Sequence, residues 1–135
     1  MIRQRLGKDL LFFDGGMGTL LQEKGLAPGE LPETWNLTHS EEIYKIHRQY
    51  IEAGSDIILT NTFGANALKF HDDSCSLEEI IKAAVSHVKK AEREALLQTG
   101  DERKIYTALD VGPTGKLLKP MGDLEFETAY EAFRK

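Results

Sequence analysis

The sequence predicts an α/β fold with a parallel sheet, on three observations. A strand-like apolar run, a polar glycine-containing turn and a helix-like stretch recur in that order, with turns at 14–19, 61–66 and 110–115. One strand run, Asp56-Ile57-Ile58-Leu59-Thr60, is apolar and β-branched without alternation, the pattern of a strand buried on both faces. The unusual turns all follow strands, so right-handed crossover helices would collect them on one face of the sheet.

The first unit opens with Leu10-Leu11-Phe12-Phe13, predicted as a strand, and passes through Asp14-Gly15-Gly16-Met17-Gly18-Thr19 into a short helix from 19 to about 24. Gly25 and then Pro28-Gly29 stop it. The glycines of the turn can take positive φ and let a ligand approach the backbone, because no Cβ stands in the way. Amides at a strand-to-helix turn favour an anion, and the Asp14 carboxylate favours a cation. Together they suit a zwitterion, its ammonium on Asp14 and its carboxylate on the amides of Gly15, Gly16 and Met17. A plain tight turn is the competing reading.

A loop at 30–37 carries Pro32 and the sole tryptophan, Trp35, expected to be a packing plug. Thr38-His39-Ser40-Glu41 has the spacing of a capping box. Ile43, Ile46, Tyr50 and Ile51 then recur at helical spacing up to Gly54. His47 borders that stripe and is expected to be a core-edge histidine hydrogen-bonded to backbone. The second strand, 56–60, ends in Asn61 and Thr62, polar groups at the carboxyl end where a sheet opens. Turn chemistry alone would also explain that pair.

His71-Asp72-Asp73-Ser74-Cys75 has metal-ligand residue types without zinc spacing and is expected to be a solvated loop. Ser76 to Glu79 repeats the capping-box spacing, and Leu77, Ile80, Ile81, Ala84, Val85, Val88, Ala91 and Ala95 form a helical stripe ending near Gly100. The third strand is Lys104-Ile105-Tyr106-Thr107-Ala108-Leu109, with Asp110 opening its turn. Phe126, Ala129, Tyr130 and Phe133 begin another helix.

With 22 acidic against 17 basic residues, the net charge of −5 lacks the clustered basic footprint of a nucleic-acid surface. One cysteine, Cys75, excludes an intramolecular disulfide and fits a reducing compartment. No apolar stretch reaches membrane-spanning length, and the amino-terminal one is too short for a signal sequence. A cytoplasmic protein acting on small molecules or proteins, with no nucleic-acid or membrane partner, is the expectation.

In a closed (β/α)8 barrel the chemistry gathers at the carboxyl ends of the strands, so Asp14, Asn61, Thr62 and Asp110 would look into one site. Such a barrel needs eight strands and about 250 residues. This chain of 135 residues supplies three strands, so 1–135 is expected to be a single partial domain, the first three units of a TIM-type barrel.

Three segments, Phe13-Asp14-Gly15-Gly16-Met17-Gly18-Thr19, the stretch from Ile46-His47-Arg48 to Ala53-Gly54-Ser55-Asp56, and Thr60-Asn61-Thr62-Phe63-Gly64-Ala65-Asn66, together resemble the amino-terminal part of the homocysteine S-methyltransferase family. Asp110-Val111-Gly112-Pro113-Thr114-Gly115 further resembles the homocysteine domain of cobalamin-dependent methionine synthases. The resemblance implies a β/α barrel in which zinc, held by cysteine thiolates, binds the homocysteine sulfur as the thiolate that attacks a methyl group. It makes Asp14 a contact for the homocysteine amine and the amides of Gly15 to Met17 contacts for its carboxylate, with Asn61, Thr62 and Asp110 lining the pocket. It implies cobalamin for the parent protein through modules further along.

The zinc cysteines of the family, a single Cys and a Gly-Gly-Cys-Cys-like pair, have no counterpart in this sequence. An amino-terminal fragment, inactive by itself, is therefore the expectation, without catalytic residues of its own. Its uncovered sheet is expected to make it a homo-oligomer. The alternatives are a non-catalytic, self-associating α/β binding module and a phosphate-cradling β/α enzyme, against which Asp14 counts.

Overall fold

Two parallel strands, β1 (Ile57–Leu59) and β2 (Tyr106–Ala108), pair with Ile57 opposite Tyr106 and Leu59 opposite Ala108. The computed structural model describes residues 2–70, 75–100 and 102–134, and the expected loop at 71–74 lies outside them. The connection between the strands carries helix α4 (Leu77–Thr99), so the predicted parallel crossover is present. The other helices are α1 (Met17–Glu23), α2 (Trp35–Thr38), α3 (Ser40–Glu52) and α5 (Phe126–Arg134).

The predicted first strand is reduced to a single parallel bridge, Phe13 to Ile57. Ile57 thereby pairs with Phe13 on one side and Tyr106 on the other, so β1 is central. The Asp56 carboxylate accepts the Phe12 amide at 3.1 Å and lies 3.5 Å from the Arg5 guanidinium, and the Asp14 amide donates to the Ile57 carbonyl at 3.0 Å. Nothing among the described residues covers the outer side of this segment: Leu10 is 83% and Phe12 61% exposed. A strand with one partner and no packing cover holds only where local side chains pin it.

Helix α4 matches its prediction. The Ser76 hydroxyl accepts the Glu79 amide at 3.2 Å, the Glu79 carboxylate accepts the Ser76 amide at 2.8 Å, and Gly100 ends the helix at φ 67°. Its buried stripe is Ile80, Ala84, Val88, Ala91 and Ala95. The other predicted capping box, Thr38-His39-Ser40-Glu41, is not formed. A 3-10 turn at Pro32–Thr34 runs directly into α2, so Thr38 ends one helix instead of opening the next. Its hydroxyl donates to the Thr34 carbonyl at 3.2 Å, the back-bonding geometry of a hydroxyl inside a helical turn. His39 stands at the N-cap of α3 without a side-chain cap.

Two apolar clusters flank α3. Tyr44, Ile51, Ile58, Val88, Ala91, Ala95 and Ile105 join α3, α4 and the sheet. Leu21, Leu26, Trp35, Ile43 and Ile46 join α1 and α2 to the other side of α3, and Tyr50 packs against both clusters. Trp35 is the expected plug, with its indole N–H donating to Glu30 at 2.7 Å. His47 departs from expectation: it is fully buried and neither ring nitrogen has a hydrogen-bond partner among the described residues. Helix α5 buries only Ala132, leaving Phe126, Tyr130 and Phe133 exposed.

Candidate functional site

The turn after Phe13 places the Asp14 carboxylate at the carboxyl end of β1. Its Oδ2 accepts the Leu59 amide at 3.0 Å, while Oδ1 is buried and has no partner among the described residues. Burial pushes the Asp14 carboxyl up to about 6, the nearby Asp110 charge adding to it and the Leu59 amide opposing it. At neutral pH the group is thus mainly ionised, with no salt-bridge partner among the described residues.

None of Gly15, Gly16 and Gly18 takes positive φ, so left-handed backbone is not why this turn is glycine-rich. At Gly15 the reason is close approach. A Cβ there would stand 2.8 Å from the Tyr50 hydroxyl oxygen and 3.2 Å from its ring. Tyr50 needs that space because its hydroxyl donates to the Gly16 carbonyl at 3.1 Å. The turn is thereby held from α3. The amides of Gly15 and Gly16 donate to no acceptor among the described residues.

The turn after β1 is fixed by its own polar side chains. The Asn61 amide nitrogen donates to the Pro32 carbonyl at 2.8 Å and to Asn36 Oδ1 at 3.2 Å, and the Asn36 amide returns a bond to the Asn61 carbonyl at 2.8 Å. Thr62 donates to the Asp110 carbonyl at 2.7 Å and lies 2.7 Å from the Thr60 hydroxyl, which accepts the Asp110 amide at 3.3 Å. With Thr62 donating to Asp110, Thr60 must donate to Thr62, so the turns after β1 and β2 are tied in one directed ring. Asn61 and Thr62 are buried, and these bonds commit their donors to the protein.

All seven residues expected at the site, Asp14, Gly15, Gly16, Met17, Asn61, Thr62 and Asp110, line one cavity of about 550 Å³. That volume suits a small molecule. Glu33, Phe63 and Lys69 also line it, and none of them was singled out from the sequence. Glu33 follows Pro32, which marks it only as a helix start. Nothing in their spacing links it to Gly64, whose amide it accepts at 2.5 Å. Tyr50 was legible only as part of an apolar stripe.

Among the described residues no group of three or more His, Cys, Asp or Glu side chains is placed to hold a metal ion. Cys75 is a single free thiol. The described residues therefore do not fit a zinc site, which takes three or four protein ligands.

Residues 11–135 match the family model described as homocysteine S-methyltransferase. The chain belongs to that family. It is 30% identical over 136 residues to methionine synthase of Mycobacterium leprae, covering 96% of this chain and 11% of that protein. The metallated form of the homocysteine methyltransferase MmuM from Escherichia coli has a TM-score of 0.72 and 24% identity, over 84% of this chain and 42% of that one. Its oxidised form gives a TM-score of 0.71 at the same identity, over 84% and 41%. The chain thus spans less than half the length of each of these relatives. The structural likeness places its mixed α/β arrangement and small parallel sheet in the fold of these methyltransferases. No described helix is long and apolar enough to cross a membrane.

Proposed function

We propose that this chain supplies the homocysteine-binding end of a methyltransferase barrel that transfers a methyl group to the homocysteine thiol, making methionine. Residues 1–135 form the first three β/α units of that barrel, in the cytoplasm. The observation that carries the reading is the pairing, in one cavity, of a buried Asp14 oxygen without a partner and the unused amides of Gly15 and Gly16. An ammonium completes the first and a carboxylate the second, as the ends of an α-amino acid do. Met17, Asn61, Thr62 and Asp110 shape the rest of the wall.

The zinc that activates the thiol in this reading has no ligand set among the described residues. By itself the chain is proposed to be inactive, because an unactivated thiol stays mainly protonated at neutral pH. Metal analysis after zinc loading is expected to find well under one zinc per chain. Cobalamin belongs, in the same proposal, to other modules of the parent protein. The uncovered sheet is proposed to make the isolated chain a homo-oligomer.

Titration with L-homocysteine, followed by amide NMR, tests the site. The shifts are expected to concentrate at Gly15 and Gly16. Affinity is expected to fall as pH drops through about 6, where Asp14 takes up its proton, and to lose that dependence in Asp14→Asn. Shifts that spare the glycine turn, or an unchanged affinity in Asp14→Asn, would sink the assignment.

A further inference from the structure

Tyr50 meets the glycine turn from α3. Its ring packs against both apolar clusters, so the core fixes where its hydroxyl stands, and that hydroxyl donates to the Gly16 carbonyl at 3.1 Å. The approach is close. A Cβ on Gly15 would stand 2.8 Å from the hydroxyl oxygen, so a glycine there is what lets the hydroxyl reach Gly16.

The effect of that bond falls on Met17. The peptide joining Gly16 to Met17 is trans, and in a planar trans peptide the N–H points opposite to the C=O. With the Gly16 carbonyl held toward Tyr50, the Met17 N–H is held away from α3. It donates to no acceptor among the described residues, and Met17 lines the cavity while Tyr50 stands outside its wall. Burial and the nearby Asp14 charge both raise the Tyr50 hydroxyl above its ordinary pKa, so it stays a donor throughout the range in which Asp14 titrates, about 6.

We propose that Tyr50 is a positioning residue of the amino-acid site, its hydroxyl aiming the Met17 amide, through the Gly16 carbonyl, at the ligand carboxylate. This rests on the amino-acid reading of the cavity given above. Tyr50 thereby serves the carboxylate end of the ligand and Asp14 the ammonium end. Loss of the hydroxyl is felt only by a ligand that has a carboxylate.

The test is calorimetric titration of the 135-residue chain with L-homocysteine and with 3-mercaptopropylamine, which lacks only the carboxylate. Tyr50→Phe keeps the ring in the core, and a thermal melt checks its fold. Homocysteine affinity is expected to fall about fivefold in Tyr50→Phe, the worth of one hydrogen bond. The affinity for 3-mercaptopropylamine is expected to stay unchanged, and the pH midpoint of homocysteine binding to stay at about 6. Equal homocysteine affinity in wild type and Tyr50→Phe, or an equal loss for both ligands, overturns the inference and leaves the amino-acid reading in place. Gly15→Ala is the second variant, because its Cβ displaces the hydroxyl from Gly16. It is expected to give the same selective loss and to add little to Tyr50→Phe; full additivity overturns the inference. Should Tyr50→Phe not fold, Gly15→Ala decides: a selective loss supports the inference and its absence overturns it. Should 3-mercaptopropylamine bind too weakly to titrate, the Met17 amide decides by NMR. A shift at saturating homocysteine that shrinks in Tyr50→Phe supports the inference, and one of equal size overturns it. Wild type that binds neither compound overturns both readings.

Discussion

His47 occupies α3 with no exposed surface and no partner for either ring nitrogen. Burial holds its imidazolium pKa down to about 4, and the nearby His87 pushes in the same direction. The unfolded chain takes up this proton near pH 6.5. Between those values the unfolded state binds a proton that the folded state refuses, so the contribution of His47 to stability falls as pH drops through that window and is unaffected above it. The expected loss is about 3 kcal/mol in all, at about 1.4 kcal/mol per pH unit. Burial raises the Asp14 carboxyl to about 6, which works in the opposite direction over the same window, so denaturant melts at pH 7.5, 5.5 and 4.5 read His47 by difference: His47→Leu is expected to gain on wild type as pH falls. Parallel pH curves for the two proteins would mean that the ring finds a partner in solution. Gly15 teaches a related lesson: its lack of a side chain makes room for Tyr50, which packs against both apolar clusters, in addition to any ligand.

At the level of elements, two capping boxes with the same spacing have different fates. Ser76 caps a helix preceded by extended chain, at φ −86° and ψ 153°, and its hydroxyl faces free amides. Thr38 follows a turn that is already helical, so its hydroxyl finds a carbonyl first. Ser76→Ala is therefore expected to cost about 1 kcal/mol. Thr38→Ala is expected to change stability by less than about 0.5 kcal/mol, as a surface substitution away from a cap does. Chemical denaturation of both variants beside wild type is the check; equal losses would show that Thr38 caps α3 after all. The run at 10–13 shows the same dependence on context. Its composition is that of a strand, but pairing and cover are properties of its neighbours.

At the scale of the whole molecule, the apolar surface is unevenly shared. Leu10, Phe12, Phe13, Leu109, Val111, Phe126 and Tyr130 each expose more than half of their surface, while the clusters on either side of α3 are closed. Covering a few hundred Å² of such surface is worth about 25 cal/mol for each Å², several kcal/mol in all, comparable with a domain's stability margin. The proposed homo-oligomer follows from this sum and from the open sheet edge beside Phe13. Sedimentation velocity at micromolar concentration is expected to show a dimer or larger species that dissociates on dilution. A monomer that unfolds cooperatively would count against the proposal.

By itself, the sequence determined the two paired strands, the parallel crossover through α4, the buried stripe of that helix and its cap, and the residues that line one cavity at the carboxyl end of the sheet. These are legible because periodicity, capping and turn chemistry act between residues close in the chain, and because in a parallel sheet every such turn falls on one face. Tertiary structure alone decided that the run at 10–13 pairs at one point, that His47 is sealed without partners, that Gly15 makes room for Tyr50, and that Glu33 reaches the cavity. Each of these depends on what stands opposite. Glu33 meets Gly64 across 31 positions of chain, and no local pattern records which distant backbone a buried carboxylate will find.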